Sequence, residues 1–147
     1  MQIVNYAPHY VFEWCDLVHR FVEECIKEQD WGCNDEDLHK TFHSWDPRFA
    51  WGLVHEDKLI GCLTGIVVPH FFNYANLIFQ ESMWFVIPEF RNTRGGIMLY
   101  KRCEEDCRRY GITRLAFAHT KFMKEGFEKI YQGLGFSYLE THYEKVL

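Results

Sequence analysis

The sequence predicts an α/β chain of the mixed α+β kind, with a single central, mostly antiparallel mixed β-sheet and helices on both faces. Helical and strand patterns follow one another in the order β-α-α-β-β-β-α-β-α-β. No internal repeat or Pro/Gly-rich linker divides the chain. The length of 147 residues, 48% of them hydrophobic, suits one globular domain with its own core. We therefore expect residues 1–147 to form a single domain.

The N-terminal half is predicted to form a strand, two helices and a β-hairpin. Pro8 ends the first strand, and Asp35 is a suitable N-cap for the second helix. The long first helix has an apolar stripe at helical spacing: Val11, Cys15, Val18, Val22 and Cys25. The predicted elements are a strand at 2–6, helices at 11–29 and 36–43, and strands at 49–55 and 59–68 joined by a turn at 56–58.

The C-terminal half begins with an aromatic loop and a long strand, followed by alternating helices and strands. Pro88 ends the long strand, and Gly111 ends the helix that follows it. The predicted elements are a loop at 69–75, a strand at 76–87, a helix at 96–110, a strand at 114–119, a helix at 125–134 and a last strand at 137–146.

Charge and composition exclude several classes of function. The formal net charge is −5 and no long basic run is present, so we expect no nucleic-acid partner. No apolar run is long enough to span a membrane and no signal-peptide pattern opens the chain, so we expect a cytoplasmic protein. Six scattered cysteines are typical of reduced core residues. The best metal pattern, Cys33 with His39 and His43, favours a polar helix face, so no metal site is expected.

The most informative segment is Trp84-Phe85-Val86-Ile87-Pro88-Glu89-Phe90-Arg91-Asn92-Thr93-Arg94-Gly95-Gly96. An apolar strand leads into a proline, then into an Arg- and Gly-containing turn, and then into a helix. Backbone N–H groups at the start of a helix lack partners and attract anions, and glycine lets a phosphate approach closely. By itself the segment predicts either a diphosphate cradle or an ordinary strand–turn–helix joint with solvated arginines.

This segment resembles the acetyl-CoA motif of the GNAT superfamily of N-acetyltransferases, Gln/Arg-x-x-Gly-x-Gly/Ala. Arg91 matches the first position and Gly96 the last, whereas Arg94 replaces the middle glycine. The segment 131–136, Tyr-Gln-Gly-Leu-Gly-Phe, resembles the Tyr-x-x-x-Gly-Phe signature of the same family. The order of the predicted elements is similar to that of the GNAT superfamily along the whole chain. The resemblance implies the GNAT acyl-CoA N-acyltransferase fold and acetyl-CoA as co-substrate.

The same resemblance implies where the cofactor and the catalytic groups lie. Acetyl-CoA would lie between two splayed parallel strands, 76–87 and 114–119, and Val86 N–H would donate to the thioester oxygen. Glu81 would be the general base and Tyr131 the general acid. The alternative for Glu81 is a strand carboxylate paired with a surface cation, and the alternative for Tyr131 is a tyrosine of the core. The residues expected to contact the cofactor are Phe85, Val86, Arg91, Asn92, Thr93, Arg94, Gly95 and Gly96.

The acceptor is expected to be a primary amine of a small molecule or a peptide. Trp31, Phe71, Phe72 and Tyr74 are the candidate pocket residues, and aromatic faces suit a cationic acceptor. The acidic residues 35–37 are better explained as an ordinary helix start. The acceptor's identity, the acyl chain length and the oligomeric state, a homodimer included, stay open.

Two other functions compete with this prediction. One is a catalytically inactive module of the same fold that binds acetyl-CoA or a protein. The other is a toxin-like acetyltransferase that acts on aminoacyl-tRNA, which the acidic charge disfavours. Glu81 and Tyr131, both present, favour the active enzyme over the inactive module.

Overall fold

The computed structural model describes residues 1–26, 32–119, 126–140, 142 and 145. The strands are β1 (Gln2–Asn5), β2 (Ala50–His55), β3 (Lys58–His70), β4 (Asn73–Val86) and β5 (Arg114–Ala116). The helices are α1 (Val11–Phe21), α2 (Asp35–Ser44), α3 (Gly95–Arg109) and α4 (Phe127–Gly133). A π-helical turn, Val22–Ile26, continues α1, and 3₁₀ turns lie at Pro8–Tyr10, Pro47–Phe49 and Pro88–Phe90.

The five strands form one mixed sheet in the order β1-β2-β3-β4-β5. The first three pairings are antiparallel, and β4 pairs with β5 in parallel. The sheet therefore confirms the predicted mixed, mostly antiparallel architecture.

Adjacent residues of β3 show that both faces of the sheet are covered. Leu63 packs into a cluster with α3 residues, whereas its neighbour Cys62 packs into a second cluster with residues of α1 and α2. Successive side chains of a strand point to opposite faces, so the helices lie on both sides, as predicted. In α1 the buried residues are Trp14, Cys15 and Leu17. Cys15 belongs to the predicted stripe, and Val11 and Val18 of that stripe are partly buried against the same cluster, so the buried face includes the stripe and extends to Trp14 and Leu17.

The aromatic loop expected at 69–75 is a tight hairpin instead. Pairing of β3 with β4 continues to His70 and Asn73, which leaves Phe71 and Phe72 as the turn. Valine and aromatic side chains stabilise paired strands, so β3 and β4 extend into the segment that was predicted to be a loop. The other tight hairpin, between β2 and β3, turns at Glu56 and Asp57, both with positive φ (49° and 60°), as a type I′ turn requires.

Three further boundaries differ from the sequence prediction. Asn34, not Asp35, is the N-cap of α2, because its side chain accepts a hydrogen bond from Asp37 N–H at 3.0 Å. β5 ends at Ala116, three residues before the predicted end. The last predicted strand is not formed by residues 137–140, where Tyr138 and Leu139 are exposed. In the described segments, no helix has both the length and the apolar character needed to cross a bilayer.

Candidate active site

A β-bulge in β4 lies at the centre of the candidate site. Gly65 pairs with Glu81 but Thr64 pairs with Met83, which leaves Ser82 as the extra residue. The extra residue reverses the faces of the strand beyond it: Phe79 packs with the α3 cluster, whereas Met83 and Phe85 pack with the α1–α2 cluster. A bulge also bends its strand, so β4 changes direction at Glu81.

Beyond the bulge, β4 has no strand partner on its β5 side. The parallel pairing covers only Ile78–Gln80 with Arg114–Ala116, and β4 then continues to Val86. Within the described residues, the six positions 81–86 therefore border a gap between two parting strands. An open strand edge of this kind presents unpaired peptide groups to an extended ligand.

The hydrogen bonds of Ile87 and Arg91 indicate which peptide groups face the gap. Ile87 N–H donates to the carbonyl of Ile60 in β3 at 3.0 Å, and peptide groups alternate sides along a strand. The N–H groups of Val86 and Trp84 therefore face the gap, whereas the peptide groups of Phe85 face β3. Arg91 Nε donates to the Val86 carbonyl at 2.8 Å from the gap side, which agrees with this alternation. Trp84 thus takes the position expected for Phe85.

The start of α3 has the free N–H groups expected of an anion cradle. The first helical hydrogen bond runs from Met98 N–H to the carbonyl of Arg94, at 2.9 Å. Gly95 N–H donates to Thr93 Oγ1 at 3.2 Å. The N–H groups of Gly96 and Ile97 have no acceptor among the described residues. These two N–H groups lie at the positive end of the dipole of a 15-residue helix, where an anion is stabilised.

The two glycines of the turn differ in what a side chain would meet at each position. A Cβ on Gly95 would lie 2.4 Å from Leu53 Cδ2, so Gly95 permits α3 to pack closely on the sheet. A Cβ on Gly96 would have Trp84 Nε1 as its nearest neighbour, at 3.8 Å, so no protein atom demands a glycine there. Gly96 thus leaves open space beside the free N–H groups, and the turn fits a diphosphate.

The arginines of the turn are placed in different ways. Arg91 is bound within the protein: it forms an ion pair with Glu24 at 2.5 Å and lies over the Phe85 ring, 5.2 Å from its centroid. Arg94, which replaces the family's middle glycine, is exposed, as are Asn92 and Thr93. Only Arg94 is free to bring side-chain charge to a phosphate. The sequence did not indicate Glu24 as the partner of Arg91, because 67 residues separate them.

Glu81 has the properties of a base that titrates near neutral pH. Burial raises the pKa of its carboxyl group to about 7, and a hydrogen bond from Ala118 N–H to Glu81 Oε2, 3.2 Å long, opposes this shift. The negative charge of Glu81 also contributes to the raised pKa of the Cys62 thiol, after burial itself. Burial disfavours the charged form of a carboxyl group, which is why the pKa of Glu81 rises.

Tyr131 is hydrogen-bonded to the same residue, Ala118. Its hydroxyl donates to the Ala118 carbonyl at 2.9 Å, and its ring packs against Trp84, Phe117, Phe127 and Phe136. Burial, and then the charge of Glu81, raise the pKa of Tyr131, so the hydroxyl stays protonated. The Gly-Phe of its signature ends the helix: Gly135 has φ 87°, and Phe136 N–H returns to the Tyr131 carbonyl at 2.9 Å.

The three candidate acceptor residues that the structure describes, Phe71, Phe72 and Tyr74, are not brought to this centre. Trp31 lies outside the described residues. Phe71, Phe72 and Tyr74 lie at the hairpin end of β4, and Phe72 is nine positions before Glu81, about 30 Å along an extended strand. His119 is nearer, with its ring centroid 6.4 Å from that of Tyr131. In the described part of the chain, no three His, Cys, Asp or Glu residues are grouped to hold a metal ion.

Comparisons with known proteins agree with this geometry. The model of the acetyltransferase (GNAT) family matches residues 13–136. A ribosomal-protein-alanine N-acetyltransferase from Brucella melitensis biovar Abortus 2308 is similar at a TM-score of 0.79 and 13% identity, with 100% of both chains covered. AAC(6')-Iy, solved with the bisubstrate analogue CoA-S-monomethyl-acetylneamine, is similar at a TM-score of 0.75 and 16% identity, over 99% of this chain and 98% of the other.

A third similar structure carries a different description. It is a transcriptional regulator from Bacillus halodurans C-125, with a TM-score of 0.80, 12% identity and 99% of each chain covered. A sequence search among curated proteins found no match. At these identities the structures establish the fold and leave the acceptor open, whereas the family model spans most of the sequence. The chain belongs to the acetyltransferase (GNAT) family.

Proposed function

We propose that this protein transfers an acetyl group from acetyl-CoA to a primary amine of a small molecule or a peptide. The observation that carries the proposal is the position of Glu81. Its carboxyl group, with a pKa raised to about 7, lies at the bulge where β4 and β5 part. A group that titrates near neutral pH is suited to general-base work at that pH.

The gap and the start of α3 supply the cofactor site. Gly96 and Ile97 N–H would bind the diphosphate, with Arg94 adding its charge. The gap-facing N–H groups of Trp84 and Val86 would bind the pantetheine arm and its thioester, since the Val86 carbonyl already accepts from Arg91. When bound, acetyl-CoA supplies an activated acyl carbonyl. Val86 N–H faces the same gap and is free to donate a hydrogen bond to an oxygen that gains negative charge there.

Glu81 acts on the acceptor. A primary amine at neutral pH is mostly ammonium, since a lysine-like amine has a pKa of about 10.4. The carboxylate of Glu81 takes a proton from this group, directly or through one water molecule, so that nitrogen gains a free electron pair. Because Ala118 N–H binds Oε2, Oε1 is the oxygen left to accept the proton.

Tyr131 acts on the leaving group. Its raised pKa keeps the hydroxyl protonated, so it can deliver that proton to the sulfur that departs as the amide forms. In the structure the Tyr131 hydroxyl donates a hydrogen bond to the Ala118 carbonyl. A rotation about the Tyr131 side chain, or a water molecule, would have to redirect it toward the gap.

The proposal names the acceptor only as a primary amine and not as an individual compound. Similar folds belong to an enzyme named for ribosomal-protein alanine and to aminoglycoside acetyltransferases. The formal net charge of −5 suits a cationic acceptor over a nucleic acid. A contact of Trp31, Phe71, Phe72 or Tyr74 with the acceptor stays a prediction.

The proposal is tested by an acceptor screen. Purified protein is incubated with acetyl-CoA and polyamines, aminoglycosides, amino acids or peptides with free N-termini, and thiol release is measured alongside the mass of each amine. We expect equal amounts of thiol and acetylated amine with at least one class. Tight acetyl-CoA binding without thiol release in any reaction would favour an inactive binding module instead.

A further inference from the structure

Val86 N–H, the proposed donor to the thioester oxygen, lies on an edge of β4 that lacks a neighbouring strand. Within the described residues, β4 has no partner on that side beyond Gln80. The peptide group between Val86 and Ile87 is nevertheless held from both sides. Its N–H donates to the Ile60 carbonyl at 3.0 Å, and its oxygen accepts from Arg91 Nε at 2.8 Å. The N–H and carbonyl of one residue point to the same side of a strand, so Arg91 also helps to fix the direction of Val86 N–H.

Arg91 is itself held at that carbonyl by Glu24. Arg91 Nη2 lies 2.5 Å from Glu24 Oε2, while Nε of the same group donates to Val86. A guanidinium group is planar and rigid, so bonds from two of its nitrogens fix its orientation. The group also lies over the Phe85 ring, 5.2 Å from the centroid. Glu24 therefore determines where Arg91 can place Nε.

The end of α1 brings Glu24 to this strand edge. Phe21, the last residue of α1, packs edge to face on Phe85, with 5.7 Å between ring centroids. Glu24 follows in the π-helical turn Val22–Ile26, a rare type of turn that is frequent at functional sites. A series of contacts thus leads from α1, on one face of the sheet, to the gap between β4 and β5.

We propose that Glu24 is a positioning residue of the transfer site, an inference that rests on the function proposed above. Glu24 holds Arg91, and Arg91 holds the peptide group that directs Val86 N–H toward the thioester oxygen. A donor aimed in advance at an oxygen that gains charge acts mainly on the transition state. The effect of Glu24 therefore falls on turnover, whereas diphosphate binding depends on the start of α3.

A purely structural role for this ion pair makes different predictions. Glu24 and Arg91 side chains are 32% and 35% exposed, and ion pairs of such exposure add little to stability. Packing of Phe21 on Phe85 joins α1 to β4 without the ion pair. We therefore expect Glu24→Ala to keep a thermal midpoint close to that of the wild type.

The first test needs no transferase activity. Backbone amide signals are recorded by ¹H–¹⁵N NMR for the wild type and for Glu24→Ala. The signals of Val86 and Ile87 should shift, and the Val86 amide should exchange faster with solvent, while the Gly96 signal stays in place. Coenzyme A affinity, measured by calorimetry, should be nearly unchanged.

Glu23→Ala is the matched control for both measurements. Glu23 is exposed in the same π-helical turn, and its side chain has no hydrogen-bond or ion-pair partner among the described residues. The amide signals of Val86 and Ile87 and the coenzyme A affinity should match those of the wild type.

The second test is turnover with an acceptor identified by the screen. Glu24→Ala should lower kcat about tenfold or more and leave the KM for acetyl-CoA nearly unchanged. Glu24→Gln should recover part of the loss, because its amide oxygen can still accept from Arg91. Arg91→Lys cannot make both contacts with its single nitrogen, and adding Glu24→Ala to it should cost little more, since both residues act through one peptide group.

Three results would overturn the proposal. They are Val86 and Ile87 signals that do not move in Glu24→Ala, wild-type turnover in that variant, and losses in Glu24→Ala and Arg91→Lys that simply add. A screen without any acetylated amine would overturn the proposed function alone, because the NMR comparison decides the role of Glu24 without turnover.

Discussion

Glu81 and Tyr131 are both hydrogen-bonded to the backbone of one residue, Ala118. The Glu81 carboxylate accepts the Ala118 N–H at 3.2 Å, and the Tyr131 hydroxyl donates to the Ala118 carbonyl at 2.9 Å. Ala118 lies two residues beyond the end of β5, where the strands have parted. The proposed base and the proposed acid are therefore held beside the same gap by one stretch of backbone.

Glu81→Gln should lower the turnover number about 100-fold or more, because it removes the general base. The wild-type rate should rise with pH through an inflection near the Glu81 pKa of about 7, since only the carboxylate accepts a proton. The variant should lose that inflection. The measurement is the rate of thiol release against pH, at saturating acetyl-CoA.

Glu105→Gln is the matched control for that experiment. Glu105 is an exposed carboxylate on α3, and the same change there should leave both the rate and the pH profile as in the wild type. A Glu81→Gln enzyme with wild-type turnover would remove Glu81 from the mechanism.

The same carboxyl group should make stability depend on pH. Its pKa is raised from 4.5 to about 7 on folding, so between these values the folded protein retains a proton that the unfolded chain has lost. Stability therefore falls as pH rises through this range, by up to about 3 kcal/mol from this group. Glu81→Gln should raise the thermal midpoint at pH 8 and have little effect at pH 4.5. An equal shift at both pH values would contradict the assignment.

Tyr131→Phe should lower turnover and leave acetyl-CoA affinity nearly unchanged, because it removes the proton for the leaving thiolate while the ring packing remains. Tyr100→Phe is the control: Tyr100 is buried in the same aromatic group, but its hydroxyl faces the Leu134 carbonyl. Turnover numbers and calorimetric affinities separate the two effects. Equal losses of turnover in both variants would indicate a structural role for Tyr131.

Arg94→Glu should weaken acetyl-CoA binding about tenfold or more, because a carboxylate replaces the exposed guanidinium beside the free N–H groups of α3. Lys101→Glu makes the same charge change on an exposed position of α3, two turns away, and should bind normally. Isothermal titration calorimetry at two salt concentrations measures both. Unchanged affinity in Arg94→Glu would exclude Arg94 from the cofactor site.

Gly95→Ala and Gly96→Ala should differ in stability although they are adjacent. A Cβ at Gly95 would lie 2.4 Å from Leu53 Cδ2, and Leu53 is fully buried, so the core must shift at a cost of about 1–3 kcal/mol. A Cβ at Gly96 has no neighbour closer than 3.8 Å. Urea denaturation should show a lower midpoint for Gly95→Ala alone. The reverse order would mean that α3 packs differently.

The motif residues show how far sequence reasoning reaches in the site. Gly96 was predicted from the local pattern of a helix start and Tyr131 from its resemblance to a family signature, and both roles stay predictions. The partner of Arg91 was not identified, since Glu24 comes from a helix that meets the turn only after folding. Trp84, whose peptide group faces the gap, was missed because the sequence does not show which peptide groups of β4 pair with β3.

The sequence alone determined the order of elements as far as α4, the family motif and the residue types at the cofactor turn, because hydrophobic periodicity and turn chemistry act over a few neighbouring residues. The tertiary structure decided which groups meet. The bulge at Ser82 and the early end of β5 open the gap, and burial there raises the Glu81 pKa. It also separated the aromatic hairpin end from Glu81, because uninterrupted strand pairing keeps that hairpin extended. Register and burial depend on residues distant in the chain, so no local pattern specifies them.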